Sequence, residues 1–180
     1  VMDGEVEDYA VVVKGLDFGD APDPTYPTLL ANDGARHPVL PTGNPTLGAA
    51  VDTEAEGQPS ASHNGDDTTG TPDDEDGVSF NTGAMAMVTA CGTTNLTVTL
   101  TAPVGVTQAR LDGWVDFDGD GSFVEPRDRV ATSVMIVPGA NTVSFTAPCD
   151  ARSVNSYARF RLSSTGVANS SGPVMDGEVE

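Results

Sequence analysis

The residues with the clearest chemistry lie in one short stretch, DFDGDGS at residues 116–122. Asp116, Asp118 and Asp120 alternate along it, and Gly121 follows at the sixth position. Alternate carboxylates with this spacing can fold around one hard cation, and glycine permits the sharp turn that closes the loop. The stretch therefore predicts a calcium site.

The residues that follow distinguish this stretch from a helical EF-hand. An EF-hand places a glutamate at position 12, where this chain has Arg127. Glu125 or Asp128 can supply the last carboxylate instead, with Ser122 as a further oxygen ligand. Because the preceding residues 111–115 have a strand-like pattern, we expect a calcium loop carried by β-strands. The alternative is an Asp-Gly turn with solvated carboxylates.

Further acids gather beside glycine and asparagine in residues 17–78. Four adjacent acids at residues 73–76 repel one another unless they are exposed or share a cation. Three more alternate along an extended segment that begins at Asp52. The further candidate ligands are Asp17, Asp20, Asp52, Glu54, Glu56, Asp66, Asp67, Asp73, Asp74, Glu75 and Asp76. One further site is expected between the acidic segments at residues 52–56, 66–67 and 73–76, so more than one Ca²⁺ is expected; the alternative is a set of solvated acidic turns.

The overall charge supports this interpretation. Asp and Glu number 27 against 8 Lys and Arg, a formal net charge of −19. Such a balance excludes nucleic acid and anionic membranes as partners, because both require a basic surface. Disordered chains and halophilic surfaces are also acidic. Frequent β-branched runs oppose disorder, and the clustering of the acids favours cations over a halophilic surface. No stretch approaches the roughly 18 apolar residues of a membrane span.

The elements that must position these acids are strands. Helical periodicity is almost absent, and Gly and Pro interrupt the chain throughout. Residues 95–101 alternate Leu or Val with Thr, so Leu96, Val98 and Leu100 share one face. The other predicted strands are residues 9–13, 109–117, 130–137, 142–146 and 157–163, with residues 130–146 expected to form a hairpin. This pattern predicts an all-β fold, an antiparallel β-sandwich.

Two arginines are expected on the outer face of the last strand. Arg159 and Arg161 alternate with Ala158, Phe160 and Leu162, which face the core. We expect the arginines to pair with acids near the two termini; the alternative is that both are solvated. The candidate partners are Glu178, Glu180, Glu5 and Glu7.

Residues 17–78 are rich in Pro, Gly, Asp and Asn and poor in apolar residues. A loop of this length without structure is uncommon inside a domain. We therefore expect bound calcium to order it.

Cys91 and Cys149 are the two cysteines of the chain. A bond between them would close a long loop, worth about 4 kcal/mol on the chain-entropy model, and would suit an oxidising compartment. The alternative is two buried thiols. No motif of a hydrolase, zinc protease or nucleotide-binding enzyme appears, and we expect no enzymatic activity.

The chain also contains an exact internal repeat. VMDGEVE occupies residues 1–7 and again residues 174–180. The spacing is that of a whole domain and exceeds a solenoid unit. We therefore expect one unit of a tandem array.

Together these motifs resemble the GEVED domain. The segments that carry the resemblance are DGEVEDY (3–9), DFGDAPD (17–23), YPT (26–28), GARH (34–37), DDEDGV (73–78), WVDFDGDG (114–121) and ARFRLS (158–163). The resemblance implies a β-rich module of bacterial extracellular adhesins and surface proteins, with calcium binding and no known catalysis. It therefore implies a secreted or cell-surface location.

In that family the DGEVEDY segment and the strand after it close the domain. Here residues 1–14 are expected to be a linking strand, donated to a neighbouring unit, and residues 15–180 a sandwich body that an adjacent strand completes. Val6, Tyr9, Val11 and Val13 are the expected contact residues of that strand.

The expected function is a calcium-stabilised unit of an extracellular fibre, filament or adhesin stalk. Its partners would be identical neighbouring units joined head-to-tail by strand complementation. The alternative is a calcium-dependent module for cell adhesion that binds a surface glycan or protein.

Overall fold

The structure is a computed structural model that describes residues 4–40, 43–65, 74–82 and 86–180. Short 3-10 helices are present at Leu30–Asn32 and Pro126–Asp128. The strands of these residues are β1 (Gly15–Phe18), β2 (Arg36–Val39), β3 (Thr46–Leu47), β4 (Val78–Ser79), β5 (Thr93–Thr101), β6 (Ala109–Val115), β7 (Arg129–Ile136), β8 (Gly139–Thr146), β9 (Ala158–Ser163) and β10 (Glu178–Val179).

Two antiparallel four-stranded sheets form the body. One sheet has the order β10-β9-β6-β7. In the other, β5 pairs with β8 along one edge and with the short strands β3 and β4 along the opposite edge. Strands β1 and β2 form a separate antiparallel pair. The predicted all-β antiparallel sandwich is confirmed.

The core lies between the two sheets. Along β5 the exposure alternates with a period of two, and Leu96, Val98 and Leu100 are all buried. They belong to one apolar cluster with Leu111 of β6 and Phe160 of β9. The strand predicted from the alternation of Thr with Leu and Val is therefore present, with the predicted face buried.

The predicted hairpin of residues 130–146 is wrong. β7 pairs with β6 in one sheet, and β8 pairs with β5 in the other. The turn at Val137 and Pro138 therefore carries the chain from one layer of the sandwich to the other. Turn residues between two strands indicate that the chain reverses direction, but they do not determine whether those two strands pair with each other.

Arg161 corrects a second expectation. It lies on the face of β9 opposite the core, as predicted, but it is completely buried. Its Nε donates to Nε2 of His37 at 3.0 Å, and burial together with the positive charge of Arg161 lowers the pKa of His37 to about 3. Its terminal nitrogens donate to the carbonyl oxygens of Asn169, Ser171, Gly172 and Arg36.

Arg159 is buried in the same way beside it. It donates to the carbonyls of Pro27 and Ser170 and to the hydroxyl of Thr28. Neither arginine forms an ion pair with a glutamate in the described part of the chain. Main-chain carbonyls replaced the predicted glutamates because an outer layer of chain, near residues 27–37 and 169–172, covers this face.

The same contacts explain how residues 17–78 are held. This region contains β1 to β4, and Glu54 forms an isolated antiparallel bridge to Leu16. Short strands and the two buried arginines therefore anchor much of it. The expected ordering by calcium remains a prediction.

Two further expectations concern the cysteines and the first residues. Cys91 and Cys149 form a disulfide, with their Cα atoms 4.2 Å apart, which confirms the predicted bond. Residues 4–14 contain no strand, so the predicted strand at residues 9–13 is absent in a single copy of the chain. No partner strand lies beside them, and their side chains are exposed.

None of the helices in the described ranges has the length and hydropathy to cross a membrane.

Replacing Arg161 by Lys should lower the free energy of unfolding by about 3 kcal/mol. An ammonium group cannot reach five acceptors spread around a planar guanidinium, and each buried carbonyl left without a donor costs about 1–3 kcal/mol. Urea denaturation at constant calcium measures the change. The control is Arg110→Lys, because half-buried Arg110 makes one long hydrogen bond, 3.4 Å to the carbonyl of Ser133. Equal stability of the two variants would show that the carbonyl contacts of Arg161 do not support the fold.

Candidate metal centres

The aspartate loop begins directly where β6 ends. Oδ1 of Asp116 accepts hydrogen bonds from the main-chain N–H groups of Asp118, Gly119 and Asp120, at 3.2, 2.7 and 3.3 Å. Oδ2 accepts from the N–H of Gly121 at 2.9 Å. Gly119 and Gly121 have φ angles of +68° and +85°, a conformation that favours glycine. The loop is thus wound around the first carboxylate, and it follows a strand as predicted.

Asp116 is held in its ionised form by these contacts. Burial opposes ionisation, but the hydroxyl of Tyr26 and the surrounding N–H groups outweigh it, so the pKa of Asp116 lies below its ordinary value. The Tyr26 hydroxyl donates to Oδ2 at 2.6 Å. Sequence reasoning missed Tyr26 as a neighbour of this site, because ninety residues separate the two and no local pattern connects them.

The other carboxylates of the loop lack such compensation. Oxygens of Asp116, Asp118 and Asp120 lie within 4.8 Å of one another. At this loop, three buried carboxylate oxygens have no hydrogen-bond partner among the described residues: Oδ1 of Asp118, Oε2 of Glu125 and Oδ2 of Asp128. Buried polar atoms are nearly always satisfied in folded proteins, so these atoms fit a cation that accepts several oxygens.

Electrostatics show the same deficit of positive charge. Burial, with the adjacent carboxylates of Glu125 and Asp116, raises the pKa of Asp128 to about 7. Desolvation and the charges of Glu125, Asp118 and Asp116 raise the pKa of Asp120 as well. A bound divalent cation would neutralise this repulsion while the carboxylates stay ionised, so none of them would need to be protonated.

Two residues of the loop region have other roles. The hydroxyl of Ser122, a predicted ligand, accepts the N–H of Val124 at 3.1 Å, which stabilises the turn. Arg127, at the position of the EF-hand glutamate, lies 3.7 Å from Oδ2 of Asp118 and 3.1 Å from Oδ1 of Asp150. It therefore balances part of the loop charge from outside.

A second acidic cluster lies near β1 and β10. Oxygens of Asp17, Glu54 and Asp74 come within 4.8 Å of one another, although these residues are far apart in the sequence. Asp17 and Asp74 are buried and Glu54 is half-buried. We refer to these three residues as the β1 cluster. The sequence predicted each residue as a ligand and expected one site between the segments that contain Glu54 and Asp74, but it did not assign Asp17 to that site.

Main-chain contacts hold the β1 cluster together. The N–H of Phe18 donates to Oε2 of Glu54 at 3.0 Å, and the N–H of Asp52 donates to Oδ2 of Asp74 at 3.0 Å. The N–H of Val179 donates to Oδ2 of Asp17 at 2.8 Å. Burial and neighbouring acids raise the pKa of Asp17 well above its ordinary value. Burial, the contact with the carboxyl of Asp52 and the charge of Asp17 raise the pKa of Glu54 to about 10.

The remaining predicted ligands lie elsewhere. Glu56 accepts the N–H of Leu30 at 2.7 Å. Asp20 accepts the N–H of Gly65, and its charge acts on Arg159. Asp76 accepts the N–H of Ala49 at 2.9 Å, and Glu75 lines an apolar groove between the sheets. Asp66, Asp67 and Asp73 lie outside the described residues.

This open groove, of about 360 Å³, runs along one side of the sandwich. Its apolar walls come from both sheets, with Val78 and Phe80 on one side and Val115, Ala158 and Phe160 on the other. Glu180 also lines it. The core is therefore less well covered along this edge.

One protein-family model matches part of the chain. The model of the GEVED domain matches residues 110–180, which include the aspartate loop, β9 and β10. The motifs that resemble the family at residues 3–9, 17–37 and 73–78 lie outside the matched segment. No curated protein and no solved structure matches the chain significantly. The similarity to the GEVED domain family therefore covers residues 110–180.

Proposed function

We propose that this chain is a calcium-stabilised structural unit of a bacterial extracellular fibre, filament or adhesin stalk, without enzymatic activity. Identical units join head-to-tail when a strand of one fills the groove of the next. The observation that carries this proposal is the second copy of the internal repeat, which forms the edge strand β10 and leads to the groove.

The register of β10 specifies how such a strand would continue. Glu178 pairs with Leu162 and Val179 with Arg161. Glu180 then exchanges main-chain hydrogen bonds with Phe160. A strand continued beyond this point in the same register would lie beside Arg159 and then Ala158. The edge of β9 at Ala158 faces the groove, so strand addition there extends the sheet.

In the proposal, the residues that follow the first copy of the repeat form the strand that continues from β10. Residues 4–7 match 177–180, and the next residues are Asp8-Tyr9-Ala10-Val11-Val12-Val13. Tyr9, Val11, Val12 and Val13 are between 73% and 83% exposed in a single copy. An exposed apolar segment of this kind requires a partner surface.

Strand periodicity then assigns the faces. Tyr9 would lie opposite Ala158, and directly opposed residues in an antiparallel pair share a face. Tyr9, Val11 and Val13 would therefore enter the groove, each aliphatic side chain stabilising the complex by about 1.5–3 kcal/mol when fully buried. Val6 corresponds to Val179, which shares a face with Arg161. In the proposed register Val6 would therefore lie on the other face, opposite to that of Val11 and Val13.

Calcium would stiffen the unit at the aspartate loop. Asp116, Asp118 and Asp120 would bind the ion with Glu125 and Asp128, whose buried oxygens lack partners within the described chain. Oxygen ligands of this number and charge suit Ca²⁺. The disulfide and the acidic surface suit the proposed extracellular location.

Removal of calcium should lower the melting temperature by about 5–10 °C. A ligand at a hundred times its Kd stabilises by about 2.7 kcal/mol, and each kcal/mol shifts a domain of this size by about 2–4 °C. Calorimetry with calcium and with EGTA measures the shift. Asp128→Asn should reduce it, whereas the control Asp33→Asn alters an exposed pair with Arg36 and should preserve it. Identical melting with calcium and with EGTA would reject the role of calcium.

Val11→Asp should weaken head-to-tail assembly at least tenfold in apparent Kd, because a carboxylate would enter an apolar groove. Val12→Asp is the matched control, since Val12 is similarly exposed but faces away from the groove in the proposed register. Analytical ultracentrifugation and electron microscopy of both variants in calcium buffer measure the assembly. Filaments of Val11→Asp equal to those of wild type would exclude strand donation; loss in both variants would exclude the register.

A further inference from the structure

Glu178 occupies an unusual position for a glutamate. It belongs to the repeated motif and to β10, and it is completely buried. Its Oε2 accepts the N–H of Leu47 in β3. Its Oε1 has no hydrogen-bond partner among the residues described.

Negative charge surrounds this oxygen. Asp17, Glu180 and Asp74 all act electrostatically on Glu178, and two of these residues belong to the β1 cluster. Asp52 acts on Glu54 from the same side, and Oδ1 of Asp52 and Oε1 of Glu54 also lack partners within the described ranges. A positive group that acts on Asp17 is Arg161, whose guanidinium already donates to five acceptors.

We propose that Glu178 completes a second divalent-cation centre with Asp17, Asp52, Glu54 and Asp74, and that occupancy of this centre locks β10 in place. The unpartnered oxygen of a fully buried carboxylate, beside a cluster of acids, is the observation that distinguishes this site from an acidic surface. A hard cation with oxygen ligands, such as Ca²⁺, fits the donor set. The inference deepens the proposed function and rests on it, because β10 is the strand from which the link to the next unit would continue.

The coupling follows from where the ligands lie in the chain. Asp17 contributes its carboxylate to the cluster and also accepts the N–H of Val179. In the proposed centre, Glu178 would connect β10 to the same cation through its side chain. Since a cation would bind these residues only when β10 is seated, cation binding and strand seating must favour each other equally.

The test counts bound ions. Native mass spectrometry of full-length protein, stripped with chelator and reloaded with Ca²⁺, should show one ion fewer in Glu178→Gln than in wild type. Glutamine preserves the shape and the acceptor for Leu47 but removes the charge. Glu54→Gln, at the half-buried rim, should also lose one ion and provides a second variant if Glu178→Gln does not fold. Glu56→Gln is the control and should retain all ions, because Glu56 contacts Leu30 instead.

A second measurement addresses the coupling. Calcium should slow hydrogen exchange of the peptide spanning residues 174–180 at least tenfold in wild type and leave it unchanged in Glu178→Gln. Asp128→Asn should lose one ion but retain this slowing.

The outcomes separate the two proposals. The second centre would be overturned if both Glu178→Gln and Glu54→Gln bind as many ions as wild type. It would also be overturned if calcium does not change the hydrogen-exchange rate of residues 174–180 in wild type. In that case loss of an ion in Asp128→Asn alone would leave the proposed function standing. Absence of any bound calcium in wild type would overturn both.

Discussion

Buried carboxylate charge is the constraint on which the rest of this structure depends. Asp17, Asp116, Asp128 and Glu178 are each at most 1% exposed. Transfer of an ionised carboxylate from water into a protein interior costs several kcal/mol unless hydrogen bonds or opposite charges compensate it. The fold must therefore supply donors or cations at each position, and it does so in different ways.

Asp112 shows the fully compensated case. Its carboxylate pairs with Arg129 and accepts the N–H groups of Ser133 and Val167, both at 2.7 Å. Arg159 and Arg161 are the converse, buried cations surrounded by neutral carbonyls. The aspartate loop and the β1 cluster have N–H donors but too little positive charge among the described residues close to them. Each remains incomplete as a charge arrangement; in our proposals a divalent cation supplies the missing positive charge, at the aspartate loop in the proposed function and at the β1 cluster in the further inference.

Much of the fold could be predicted from local patterns. The alternation of Leu96, Val98 and Leu100 identified β5, and the Asp-Gly spacing identified a loop on a strand, because both depend on residues close in sequence. A shared site between the segments of Glu54 and Asp74 could be expected, but the place of Asp17 in the β1 cluster could not be predicted. The members of this cluster come from segments whose proximity depends on how β1 is placed beside β10, and no periodicity encodes that placement. The predictions of the hairpin and of the arginine partners were wrong for a related reason. Local sequence indicated a turn near Pro138 and an outward face at Arg161. Distant segments decide which strand lies next to β7 and which residues cover β9.

The position of Glu178 connects charge with assembly. A centre whose ligands come from β1, residues 52–54, Asp74 and β10 must order several segments to bind an ion, and this ordering lowers its affinity. Extracellular calcium modules work at roughly 10⁻⁴–10⁻³ M, so weak binding suits such a compartment. A unit that meets little calcium before export would then keep β10 loosely seated and its groove incomplete. Assembly would be favoured where calcium is abundant, because the same ion completes the charge balance and fixes the strand that leads to the next unit.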